Sequence, residues 1–143
     1  MREILFRAWD DVKDRMYHAG EEDDVVFELT GVGIKATAIT EEEEEFQTLH
    51  HLKYMQYTGL KDKNGKEIYE GHVLETRHME VGRTFIGRVT FSYGRFAVVY
   101  PGCYRQDMGE SVWDCTVMGT EIIGNIYENA DQFPHLLEGR DEA

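Results

Sequence analysis

Residues 3–9 alternate along the chain, with Ile4, Phe6 and Ala8 on one side and Leu5, Arg7 and Trp9 on the other. That is the period of a strand. The polar run DDVKDR then turns the chain, and Met16, Tyr17 and His18 form the returning strand of a hairpin. Val25–Leu29 and Ile34–Ile39 are β-branched segments broken by Gly31 and Gly33, which predicts two further short strands. In EEEEEFQTLHHL, residues 41–52, Phe46, Leu49 and Leu52 fall three apart behind glutamates that suit a helix N-terminus, so a short helix is expected there.

From residue 54 strand signals return: Tyr54–Thr58, Val73–His78, Thr84–Phe91, Arg95–Tyr100 and Glu121–Tyr127, separated by glycine-containing turns. Asn64-Gly65 within LKDKNGKEI is the signature of a type I′ turn. The tail ADQFPHLLEG predicts a short terminal helix. The glycines recurring between Gly82 and Gly124 fit strands that bend or bulge in a small barrel. The expected fold is therefore mainly β, or β-rich α+β, a small barrel-like or pseudo-barrel sheet with one or two short helices. Its 143 residues suit a single domain spanning 1–143.

No apolar stretch approaches the length of a membrane span. Arg2, Glu3, Arg7 and Asp10 interrupt the start too early for a signal peptide, so the expected location is the cytoplasm. In that compartment Cys103 and Cys115 are expected as free thiols, and no metal site or cofactor is expected. A zinc centre would need Cys103, Cys115, His50 and His51 to converge without any paired CxxC spacing.

The formal charge of −13 is concentrated, because EEDD at 21–24 and EEEEE at 41–45 hold nine of the 28 acids. Such runs resist burial and belong on solvated loops or element ends. An acidic surface also steers basic partners toward it. Duplex DNA is disfavoured as a partner, since that requires clustered Lys and Arg.

Three blocks, MREILFRAWD at 1–10, QYTGLKDKNGKEIYEGHVL at 56–74 and GNIYEN at 124–129, together resemble the YopX family of bacteriophage and prophage proteins. The resemblance spans the chain, with the acidic segments 19–52 as its divergent part. It implies a small, mostly β protein of a phage or prophage, working in a bacterial host cell, without an established biochemical activity. The central block of such proteins usually ends in Gly-Asp, whereas His72 follows Gly71 here, so the resemblance carries no acidic role over to that position.

Candidate ligand- or partner-binding residues lie in the central block: Gln56, Tyr57, Thr58, Asp62, Tyr69, Glu70 and His72. Hairpin formation accounts for Asn64 and the glycines, and Tyr57 and Tyr69 suit cross-strand packing. Folding alone does not require Gln56, Thr58, Asp62 or Glu70, so either a pocket or a plain hairpin is open for them. Nucleophile-elbow GxSxG, P-loop GxxxxGK[ST] and strand-to-helix GxGxxG patterns are absent from the sequence. His50-His51 fits a solvated helix end better than a ligand pair.

The reading is a non-enzymatic accessory protein that binds a host protein through its acidic surface, as a homo-oligomer that covers its edge strands. Two alternatives stand beside it. One is sequestration of a small nucleotide-like ligand at the central block. The other is binding of single-stranded nucleic acid by Phe85, Phe91, Tyr93, Phe96 and Tyr100 beside Arg83, Arg88, Arg95 and Arg105.

Overall fold

A computed structural model describes residues 5–40, 45–78, 82–101 and 109–136. Its strands are β1 (Phe6–Asp10), β2 (Arg15–His18), β3 (Val25–Thr30), β4 (Gly33–Thr40), β5 (Glu45–Leu49), β6 (Lys53–Lys61), β7 (Glu67–Tyr69), β8 (His72–Arg77), β9 (Thr84–Ser92), β10 (Arg95–Val99), β11 (Glu110–Ser111) and β12 (Thr120–Asn125). Helix α1 (Val112–Met118) and a 3-10 turn at Pro134–Leu136 complete the described elements. The fold is mainly β, with one sheet curled into a half-barrel and two open sheets. The chain divides into two compact units, Ile4–Met55 and one that takes in Gln56–Ala143.

In the N-terminal unit β1 and β2 form a hairpin in register from Arg7↔His18 to Asp10↔Arg15. A second sheet has the order β3-β4-β5, all antiparallel. Ala8, Tyr17, Val25, Ala36 and Leu52 form this unit's core, with Phe27, Leu49 and Tyr54 packed against it. Phe27 meets the ring edges of Phe6, Tyr17 and Tyr54 at centroid distances of 5.5, 6.3 and 6.4 Å. Edge-to-face packing of this kind suits the ring quadrupoles.

The C-terminal unit contains a five-stranded sheet, β11-β10-β9-β8-β12. Alternation sends Leu74, Val89 and Val98 to one face, where Val112 and Cys115 of α1 and Ile68 of β7 close a core. Val73 lies in a second cluster with Ile126 and Leu136. Gly87 stands where a Cβ would come within 2.6 Å of Val98 Cγ1 and 2.7 Å of the Val99 carbonyl oxygen.

Three local expectations are corrected. Residues 45–49 form strand β5 instead of a helix, while 41–44 lie outside the described residues. Pairing with β4, from Ala36↔Leu49 to Thr40↔Glu45, gives the facing backbone groups of both strands their partners, and that outweighs a three-residue apolar spacing too short to specify a helix. Asn64-Gly65 is not a type I′ turn: only Gly65 has a positive φ, 81°, and its N–H donates to the Asp62 carbonyl at 3.0 Å. Positive φ at both central residues occurs instead at Tyr93 (53°) and Gly94 (76°), between the paired Ser92 and Arg95. The described part of the tail holds a 3-10 turn over Pro134–Leu136, where Pro134 brings no N–H to a helix.

Helix α1 was not expected, although Ser111 and Asp114 carry its start signal. The Ser111 Oγ accepts the Asp114 N–H at 3.0 Å. Seven residues hold only Val112 and Cys115 as buried positions, too few to announce a period.

Gly87→Ala should lower stability by about 1–3 kcal/mol, because the clash involves a backbone carbonyl that cannot swing aside. Chemical denaturation of the two proteins measures it.

Candidate functional site

The central block folds as β6, a loop, β7 and the entry to β8. Tyr57 and Tyr69 are cross-strand partners with ring centroids 5.5 Å apart. The Thr58 Oγ1 donates to the Ile68 carbonyl at 2.8 Å and accepts the Leu60 N–H at 3.2 Å. The Gln56 N–H donates to Glu70 Oε1 at 2.8 Å, and the Glu70 N–H returns a bond to the Gln56 carbonyl at 3.0 Å. The ladder thus runs past the end of β7. His72 is buried and its Nδ1 accepts the Tyr69 N–H at 2.9 Å, so that nitrogen carries no proton in this arrangement.

Asp62 accepts three backbone N–H groups. Its Oδ1 accepts the N–H groups of Asn64 and Lys66, both at 2.9 Å, and its Oδ2 accepts the Ile122 N–H at 3.1 Å. Burial alone would raise its carboxyl. The three donors, from Ile122, Lys66 and Asn64, outweigh burial and hold it below the ordinary value of 3.8. The Lys63 N–H also donates to the Thr120 carbonyl at 3.0 Å, so this loop covers part of the outer edge of β12. Glu70 shifts the other way. Burial raises it above 4.5, and the single Gln56 N–H offsets only part of that.

The structure brings all seven predicted residues into one hairpin region and engages Thr58, Asp62, Glu70 and His72 with neighbouring backbone. Gly71 is pinned beside them at φ 84°, its N–H on the Val89 carbonyl and its carbonyl on the Ile126 N–H, each at 2.9 Å. GNIYEN behaves alike: the Asn125 Oδ1 accepts the N–H groups of Tyr127 and Glu128 at 3.0 and 2.7 Å. The Asn129 Oδ1 accepts the Asn125 N–H at 3.0 Å.

A second polar cluster, not singled out from the sequence, lies in the N-terminal unit. Asp10 is fully buried, and its Oδ1 accepts the N–H groups of Val12 (3.0 Å) and Lys13 (3.1 Å) and lies 2.8 Å from His51 Nε2. Its Oδ2 accepts the Tyr17 hydroxyl at 3.0 Å. Burial opposes ionisation, but the Lys13, His51, Tyr17 and Val12 donors together depress the carboxyl below 3.8. Asp10, Asp11 and His51 present ligand atoms within 4.8 Å of one another. Protein donors already engage both Asp10 oxygens, so the cluster anchors the β1–β2 turn first. Its only sequence sign was an Asp at a strand end two residues before a turn N–H. Among the thiols, Cys115 is buried and free, pushed up to about 12 by burial, and Cys103 lies outside the described residues.

The acids at 21–24 lie on a largely exposed loop between β2 and β3, as expected of such a run, and Arg15 holds two of them. Arg15 donates to Glu22 at 2.7 Å and to both Asp24 oxygens at 2.9 and 3.0 Å. The guanidinium holds the Asp24 carboxyl below 3.8, while Glu21 and Asp23 stay exposed. In the β9–β10 hairpin the opposed pair Phe91 and Phe96 faces one side, and alternation sends Arg88 and Arg95 to the other. Arg83, Tyr93 and Tyr100 fall outside these two strands, and Arg105 lies outside the described residues.

Fold and site together define a small, mainly β protein whose sequence blocks are tied into backbone turns and edges. The family model described as YopX protein matches residues 5–138, and the chain belongs to the YopX family. Two solved structures share the fold. Protein yopX from Bacillus subtilis is 20% identical with a TM-score of 0.61, covering 96% of this chain and 100% of that one. Protein EF1440 from Enterococcus faecalis is 24% identical with a TM-score of 0.53, covering 92% of this chain and 99% of that one. Comparison with curated proteins finds no match. Among the described residues no helix is long and apolar enough to cross a membrane.

Replacing Asp62 by Asn puts an amide nitrogen where one carboxylate oxygen accepts, and should cost about 1–3 kcal/mol at neutral pH. The depressed carboxyl contributes stability above its unfolded value of 3.8 and loses it as pH falls through the folded value. The gap between wild type and D62N in denaturant melts should therefore narrow in acid. Glu70→Gln has the opposite sign: its Tm should exceed wild type at neutral pH, and the advantage should vanish below 4.5, where both states bind the proton.

Proposed function

We propose that this YopX family member is a non-enzymatic phage or prophage accessory protein whose N-terminal unit binds a cationic surface of a host protein. The observation that carries this reading is the distribution of charge. Residues 4–55 hold thirteen acids against five bases, so most of the chain's excess of −13 belongs to its smaller unit. Asp11, Asp14, Glu21, Asp23 and Glu28 are exposed there. The Arg15 bonds to Glu22 and Asp24 order the loop that carries two of them, which lowers the entropy lost on binding. A one-signed field of this kind raises the rate of encounter with a basic surface.

A binding role without catalysis fits the chemistry of the central block. Its carboxylates and histidine are committed to backbone donors, and a thiol raised to about 12 is the reverse of an activated nucleophile. The same commitment leaves few groups for a nucleotide-like ligand, and the acidic surface is favoured over sequestration for that reason.

The experiment is tagged purification from a bacterial host, comparing wild type with the triple variant Glu21→Gln, Asp23→Asn, Glu28→Gln. A host protein should be retained by wild type at low ionic strength, be released as salt rises toward about 0.5 M, and be absent from the variant. Retention by the variant, or indifference to salt, overturns the reading.

A further inference from the structure

Strand β3 is one of the two outer strands of its three-stranded sheet. Exposed edges template the pairing of other chains, and proteins ordinarily blunt them with Lys, Pro or a bulge. VVFELT contains neither residue, and its register on β4 runs unbroken from Val25↔Ala38 to Thr30↔Gly33. Alternation puts Val25, Phe27 and Leu29 on the core side and Val26, Glu28 and Thr30 on the other. Along the core side, burial falls from Val25 (5% exposed) through half-buried Phe27 to Leu29 (64% exposed). Val32, at the tip of the same hairpin, is fully exposed. The apolar row therefore continues beyond the core that it starts in. Glu21, Asp23 and Glu28 lie exposed before and along it.

We infer that the β3 edge accepts an extended cationic segment of a partner protein as an added strand. The inference rests on the acidic-surface reading above and specifies its contact. Strand addition draws affinity from main-chain hydrogen bonds and selectivity from alternate side chains. The added segment sets apolar residues beside Phe27 and Leu29, and Lys or Arg beside Glu28, so its pattern is alternating apolar and basic. A second copy fits poorly, because it would bring together two units that each hold thirteen acids against five bases.

The probe is a labelled peptide alternating lysine and valine, matched in length to β3, titrated by fluorescence anisotropy. Companion peptides carry serine for lysine, or N-methyl groups on one or the other alternate set of amides. The expected result is saturable binding that weakens with salt and falls about tenfold or more when one set of amides is methylated, with little change for the other. Leu29→Lys and Glu28→Lys should each weaken binding, with circular dichroism confirming the fold of both variants. Equal binding of both methylated peptides overturns strand addition and leaves the acidic-surface reading standing. Equal binding of the serine peptide, or no binding of the lysine peptide, overturns the cationic partner. A dimer in solution that Leu29→Lys dissolves assigns the edge to a second copy and likewise overturns it.

Discussion

The Asp62 carboxylate joins two stretches of chain sixty positions apart. One oxygen closes its own loop on the N–H groups of Asn64 and Lys66, and the other accepts from Ile122 on β12. Loop and strand edge would each otherwise leave polar backbone groups in a poorly hydrated place, where an unmet donor costs more than a typical bond contributes. Meeting both with one ionised side chain is worth more than meeting them with neutral acceptors. The neighbouring Glu70, His72 and Gly71 continue the same arrangement toward β8 and β9.

The three blocks that carry the family resemblance share this character. MREILFRAWD ends in Asp10, which gathers the β1–β2 turn; the central block contains Asp62; GNIYEN contains Asn125 and Asn129, which bind the chain leaving β12. In each, a short polar side chain takes the place of a backbone partner that regular structure does not supply. Their polarity is therefore a property of the fold before it is a property of any ligand. Exposed carboxylates lie outside the blocks, at Asp11, Asp14, Glu21, Asp23 and Glu28 of the N-terminal unit.

The β2–β3 loop of that unit combines order with charge. Arg15 lies over the Tyr17 ring at 4.3 Å and reaches Glu22 and Asp24, so the first acidic run is shaped by a cation that the sequence places six residues earlier. Exposed ion pairs of this kind add little to stability. Their effect is on conformation: they fix which carboxylates face outward.

Much of this was legible in the residues. Alternation located the strands, because every second side chain must meet a core whatever the partner strand is, and clustering located the excess charge. The Asn64-Gly65 pair marked a turn but not its type, since Asp62 captures the Asn64 and Lys66 N–H groups and leaves the positive φ to Gly65 alone. Residues 45–49 carried a spacing compatible with a helix, and only the open edge of β4 decided for a strand. Of the seven central-block residues, position and turn chemistry could be read from order along the chain, but not that Asp62 reaches Ile122 or that His51 meets Asp10. Periodicity and charge are local properties and are written in neighbouring residues. The partner of a backbone N–H, or of a buried carboxylate, is set by which distant strand arrives beside it, and that the tertiary structure alone decides.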